Sequence, residues 1–189
     1  MEFVEPIRDL QKIEAIKKVL RGTNMRDYCL FVLGINSALR ISDLLKLKVG
    51  DVVDDERGRA LERITLREKK IGKAKAFPLS KNAQKAIQEY LDTRNWTPDE
   101  PLFLSRKGGT HIGRTRAWTV LNDAARTVGI KDNIGTHTLR KTFAYHAYKA
   151  GYDLSILQQL LNHSSPGVTL RYIGITQDDI DDVYLNVNL

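Results

Sequence analysis

Along most of this chain apolar positions recur every three or four residues, and only the stretch from Gly50 to Ser80 switches to alternation. In IRDLQKIEAIKKVL, Leu10, Ile13, Ile16, Val19 and Leu20 form one stripe, the spacing of a helix that buries one face. Asp9 is placed to cap it and Gly22 to stop it. MRDYCLFVLGINSAL is apolar nearly all round, which predicts a central, buried helix. ISDLLKL restarts a helix, with Ser42 placed as its cap. The alternating stretch, rich in β-branched residues and punctuated by Gly58 and Gly72, predicts two or three short antiparallel strands with a tight turn near Ile71-Gly72. Helical spacing resumes in KNAQKAIQEYLDTR, RTRAWTVLNDAARTVG, HTLRKTFAYHAYKAG and DLSILQQLLNH, and one short helix is expected between His163 and Tyr172. The expected fold is α+β, mainly α-helical with a small antiparallel sheet of about three strands.

The length, 189 residues, suits one domain with a proper core, read as residues 1–189 with 173–189 as a C-terminal tail. Lys and Arg outnumber Asp and Glu by 30 to 23, a formal net charge of +7. That excess suits a polyanionic partner without identifying one. The single cysteine, Cys29, lies in the apolar run YCLFVLGI. A lone thiol excludes an intramolecular disulfide and a Cys-rich zinc site, and its apolar setting raises the pKa, which argues against a nucleophile. No signal peptide opens the chain and no apolar run approaches membrane-spanning length, so the expected compartment is the cytoplasm.

Chemistry-bearing residues collect in four places. His137 and Arg140, three apart at a helix start, share one face. Thr136 or Thr138 is placed to cap there, and the free N–H groups make that end favourable to an anion. Arg40 stands at a helix–helix junction, where Asp43 either locks the backbone or pairs with the guanidinium. Lys69, Lys70, Lys73 and Lys75 surround the β-turn, as a solvated loop or as an ammonium projected towards a phosphate. His163 and Tyr172 close the set in LNHSSPGVTLRYIG, where Tyr172 is either one more core aromatic or a nucleophile.

Taken in order, Arg40, Lys70, His137, Arg140, His163 and Tyr172 resemble the catalytic set of the tyrosine recombinase (phage integrase) family. The resemblance is carried by ALRISDLLKL, KKIGKAKAFPL, HTLRKTF and LLNHSSPGVTLRYIG, and covers a catalytic domain almost end to end. The family usually has glycine where Asn162 stands. Larger relatives carry an N-terminal core-binding domain for which Arg40 comes too early, so the expectation is an excised catalytic domain or a short recombinase.

The resemblance implies the integrase catalytic-domain fold and a site-specific recombinase acting on double-stranded DNA, self-associating as a tetramer in the synaptic complex. Tyr172 would be the nucleophile that forms a 3′-phosphotyrosyl link. Arg40 and Arg140 would clamp the non-bridging oxygens, helped by His163, with His137 as base and Lys70 as acid on the 5′ oxygen. Asp43 would support Arg40. Lys69, Lys73, Arg114 and Arg116 are candidate DNA contacts, mostly to phosphates. No cofactor or metal is called for, since the arginines take the electrostatic role of a cation. Beyond Tyr172, the apolar residues of the tail suit docking on a neighbouring protomer. A type IB topoisomerase-like enzyme and a catalytically silent DNA-binding module are the rival readings.

Overall fold

The computed structural model describes residues 4–67, 74–175 and 177–187. Helix α1 (Leu10–Thr23) begins where the Asp9 carboxylate accepts from the Gln11 and Lys12 N–H groups, at 2.7 and 3.3 Å. Ile13, Ile16 and Leu20 bury the expected stripe, whereas Leu10 is largely exposed. Gly22 does not stop the helix. The break falls at Asn24, whose extended backbone ends α1 and whose side chain accepts from Asp27 N–H to start α2 (Met25–Ser37). One side chain thus serves two helix ends, a stronger signal than the flexibility of a nearby glycine.

As its all-round apolarity predicts, α2 is the buried axle, with Cys29 through Leu33 inaccessible. Burial pushes the Cys29 thiol well above its ordinary pKa, in keeping with an inert core residue. Gly34 is where α2 touches the helix carrying His137 and Arg140: a Cβ there would lie 2.5 Å from Leu139 Cδ1. Only a glycine lets the two backbones approach so closely.

The next helix, α3 (Ile41–Leu44), is a single turn. Arg40, not Ser42, occupies its N-cap, and no side chain caps it. Ser42 falls inside the turn because the chain reverses earlier, at Ala38, in the left-handed region (φ 53°). After a 3₁₀ turn (Val49–Asp51) come β1 (Val53–Asp54), β2 (Arg59–Ala60), β3 (Arg63–Arg67) and β4 (Ala74–Pro78). The strands are antiparallel as expected but among the described residues form two separate pairs, β1–β2 and β3–β4, rather than one sheet of about three. The chain leaves the first pair at Leu61, whose N–H bonds Val52 O, and enters the second at Glu62, whose carbonyl accepts from Leu79. The expected turn at Ile71-Gly72 lies outside the described residues.

The remaining helices are α4 (Lys81–Leu91), α5 (Arg114–Thr127), α6 (Thr138–Lys149), α7 (Leu154–Leu161), α8 (Pro166–Ile173) and α9 (Gln177–Asn186). Helix α8 is the short helix expected before Tyr172, started by Ser165 at its N-cap and Pro166 at its first position. A large core spans α1, α2, α4 and α5, and a small one joins α6, α7 and α8 through Ala144, Leu161 and Ile173. Ile173 and Ile175 pack with this second core, so the freely exposed part of the C-terminal segment lies beyond them, in Tyr184, Leu185 and Val187.

Candidate active site

Arg140 organises the site. It leaves the first turn of α6 and is only 6% exposed, yet bears a charge that burial disfavours and neighbours must offset. Its Nη1 donates to Ala38 O at 2.7 Å and its Nη2 to Leu161 O at 2.6 Å. Two of the five guanidinium N–H groups are thereby anchored, and the fork also meets the Tyr172 hydroxyl. Both anchoring carbonyls adjoin left-handed residues. Ala38 and Asn162 (φ 52°) are the two non-glycine residues with positive φ among those described. Ala38 bears a cost of roughly 1–2 kcal/mol in that conformation, while asparagine tolerates it better. Strain of this kind persists where surrounding structure over-determines it, and here it turns two chain reversals towards one guanidinium.

Tyr172 stands on α8 with its ring packed in the small core and its edge against His163, ring centres 4.8 Å apart at 72°. Its hydroxyl is buried beside the Arg140 guanidinium. Burial raises the phenol above its ordinary pKa, while the charges of Arg140 and Arg40, and a side-chain hydrogen bond from Arg140, pull it back down. His163 is positioned from its other side: Nδ1 lies 3.1 Å from the hydroxyl of Thr169, which itself donates to Ser165 O at 3.3 Å. With the threonine hydrogen committed, His163 donates from Nδ1–H and leaves Nε2 for a ligand.

His137 occupies the N-cap of α6, half-buried, with no side-chain cap. Neither threonine caps the helix as expected. Thr138 Oγ1 turns back to accept from Gly135 N–H at 3.0 Å, and Thr136 Oγ1 accepts from Arg114 Nε at 3.3 Å. That leaves the first turn of α6 without a side-chain acceptor. Burial lowers the His137 pKa below its ordinary value, followed by the charges of Arg114, Arg140, Lys141 and Arg40. Burial, then Arg140 and Arg40, lowers His163 likewise. Both imidazoles are therefore held towards the neutral form.

Arg40 projects from the α2–α3 junction and is exposed, and its charge acts on His137, Arg140, His163 and Tyr172 alike. Asp43 locks the junction through backbone, its N–H bonding Arg40 O at 2.9 Å, and no ion pair joins the two side chains among the described residues. Five of the six expected residues thus converge. Lys70, with Lys69 and Lys73, lies outside the described residues.

Two of the five, His137 and Tyr172, line a cleft of about 650 Å³ together with Arg114, Trp118, Arg171 and Lys141, while Arg40, Arg140 and His163 lie off its lining. Arg116 is placed differently from Arg114, beside Asp27 at 4.0 Å and away from the lining. Lys141, Thr169 and Trp118 were not anticipated. A lysine next to Arg140 reads in sequence as a solvated helix position, and only the Thr169-to-Tyr172 spacing of three hinted that they share a face.

With this geometry in view, the chain matches the phage integrase family over residues 8–178 and belongs to it. It is 44% identical over 184 residues to a probable integrase/recombinase, YoeC, of Bacillus subtilis, covering 97% of each chain. It is 34% identical over 161 residues to the tyrosine recombinase XerC of Pelobacter propionicus, covering 85% of this chain and 51% of the relative. The chain therefore spans about half the length of that recombinase. The fold superposes on the crystal structure of XerA recombinase with a TM-score of 0.77 at 22% identity, over 100% of this chain and 67% of the other. It also matches XerH recombinase bound to its difH substrate in a post-cleavage complex, with a TM-score of 0.72 at 19% identity, over 94% and 51%. Among the described residues no helix is long and apolar enough to cross a membrane.

Proposed function

We propose that this chain cuts and rejoins double-stranded DNA at specific sites, with Tyr172 as the nucleophile. The supporting observation is the buried Tyr172 hydroxyl held beside the Arg140 guanidinium, in a site where Arg40, His137 and His163 also converge. A phosphodiester bound beside Tyr172 would place its non-bridging oxygens on donors of Arg140 and Arg40, and its negative charge would favour protonated His163, whose Nε2–H then donates to the same phosphate. His137, held neutral by burial and by neighbouring cations, is suited to take the phenol proton. The tyrosine oxygen then bonds to phosphorus as the bond to the 5′ oxygen breaks, and Lys70 gives that oxygen its proton. The link is 3′-phosphotyrosyl, and a 5′-hydroxyl reverses it with no external energy source. Arg114, on the cleft wall, is suited to flanking phosphates, as are Lys69, Lys73 and Arg116 to the duplex around it.

We further read the enzyme as cytoplasmic and as a tetramer on two DNA duplexes, its protomers joined through the exposed apolar residues of the C-terminal segment. The test is covalent trapping on DNA carrying candidate recombination sites, such as repeats flanking the coding region. The parent protein should leave an adduct resistant to denaturing electrophoresis, and Tyr172→Phe should leave none while still shifting the DNA. An adduct from the Phe variant would move the nucleophile elsewhere. Relaxation of supercoils without site preference would favour a topoisomerase-like activity, and DNA binding without any adduct a silent module.

A further inference from the structure

The cleft of about 650 Å³ shares Tyr172 and His137 with the catalytic cluster, but Arg40, Arg140 and His163 lie off its lining. It is therefore a neighbouring space and not the seat of the phosphate. One wall is Trp118 of α5, which is 49% exposed while Ala117, Val120, Leu121 and Ala124 of the same helix are buried. Tryptophan is usually well buried, and a half-exposed indole suits an interface. This one is held in place. Its Cδ1 lies 3.9 Å from where a Gly135 Cβ would stand, so the ring rests on the turn that presents His137. Asn122 donates to Trp118 O at 3.1 Å and to Ile134 O at 2.6 Å, which fixes that part of α5 to the same loop. Val4 and Val168 add apolar wall. Arg114 and Arg171 add positive charge, and among the described residues neither is in an ion pair and no carboxylate lines the cleft. Lys141, also on the lining, is engaged with Val4 O.

An apolar cleft with a cationic rim fits an anion that carries a flat apolar group, and a nucleotide is such an anion. We propose that the cleft is a base subsite: the indole of Trp118 stacks on one of the two bases that flank the scissile phosphate, once that base has left its own stack. This rests on Tyr172 being the nucleophile, because a phosphate joined to Tyr172 brings its flanking nucleosides to the mouth of the cleft. Rejoining to a different strand requires the bases at the cut to leave their partners. Unstacking a base costs free energy, and stacking on an aromatic side chain returns much of it for any base, since each has a π-face. Trp118 thereby eases cleavage without reading sequence. Arg114, whose Nε is committed to Thr136 Oγ1 at 3.3 Å, keeps its terminal N–H groups for a phosphate of the same strand.

The test reads the indole and the base separately. With Trp96→Phe in the full chain, Trp118 is the single remaining tryptophan, and its fluorescence is followed as a short oligothymidylate is added at low salt. Stacking should quench the emission. An abasic oligonucleotide of equal length, which keeps every phosphate, should quench it far less. Equal quenching by the two shows phosphate contact alone and overturns the proposal. So does quenching that grows with protein concentration in the absence of DNA, the sign of a second copy in the cleft. On DNA that yields covalent adduct, Trp118→Ala should slow adduct formation by about 5- to 100-fold, the scale of one stacked base. Trp118→Phe should recover most of that rate, and melting curves show which variants are folded. Removing the base at one flanking position should slow the parent to a similar degree yet slow Trp118→Ala little further, because both changes delete the same contact. Losses that multiply at both positions assign Trp118 to packing within the protein and overturn the proposal. Absence of adduct from the parent protein bears on the nucleophile assignment alone, because the quenching measurement needs no cleavage.

Discussion

Arg40 and Arg140 resemble each other in sequence, each directly after a leucine, but they do different physical work. Arg140 is buried and holds the carbonyls of Ala38 and Leu161, so it braces the α2–α3 junction and the end of α7 while offering its remaining donors to a ligand. Arg40 is exposed and contributes through its charge. Arg140→Ala should therefore lose stability as well as cleavage. Two buried carbonyls left unpaired cost about 1–3 kcal/mol each, and loss of a preorganised donor costs about 10²–10³ in rate. Arg40→Ala should show a comparable loss of rate with the melting temperature almost unchanged. Thermal melts beside single-turnover cleavage check this. A large drop in melting temperature for Arg40→Ala would assign that residue a structural role instead.

At the scale of elements, the site is built at the ends of helices. The α2–α3 reversal presents Arg40, the start of α6 presents His137 and Arg140, and the end of α7 presents His163. Helix ends leave backbone groups unpaired and ready for side chains or ligands. Asn162 sets how α7 ends, in the left-handed region, with its N–H bonded to Gln159 O and that of His163 to Gln158 O. Asn162→Gly should be nearly neutral, because glycine takes this conformation freely. Asn162→Val should cost about 1–2 kcal/mol, since a β-branched residue is strained there. It should also slow cleavage more than the stability loss explains, because Leu161 O and His163 both move with the turn. Urea denaturation and cleavage rates of the two variants decide this. Equal rates for both would show that the site does not depend on the geometry of this turn.

Over the whole molecule, two cores divide the labour. The large one around α2 fixes α6, and the small one of α6, α7 and α8 carries Tyr172. Beyond it, α9 is tied to the body by Lys149 and Asp179 at 3.1 Å, while Tyr184 and Leu185 are 81% and 78% exposed. Deleting residues 177–189 should leave binding to one DNA half-site unchanged and weaken the cooperative binding of a second protomer by about tenfold or more, the scale of two buried apolar side chains. Gel-shift titrations on single and paired half-sites give the comparison. Unchanged cooperativity would mean that the segment packs on its own protomer.

Periodicity alone determined the helices, because a 3.6-residue apolar repeat leaves few other ways to bury a face, and it placed the buried axle, α2. The same sequence placed His137 and Arg140 on one face and supplied, in motif order, the set that resembles the integrases. It could not say that the strands would split into two pairs, since alternation fixes which face a residue takes but not which strand it joins. Nor could it distinguish Asn24 from Gly22 as the stop of α1, a choice made by a side chain that caps two helices at once. The larger share of the site was decided in three dimensions. Arg140 joins carbonyls 102 and 21 residues away, and Lys141 reaches Val4, 137 residues away. Contacts at such separations depend on how the helices cross, and the crossing of α2 with α6 rests on the absence of a side chain at Gly34.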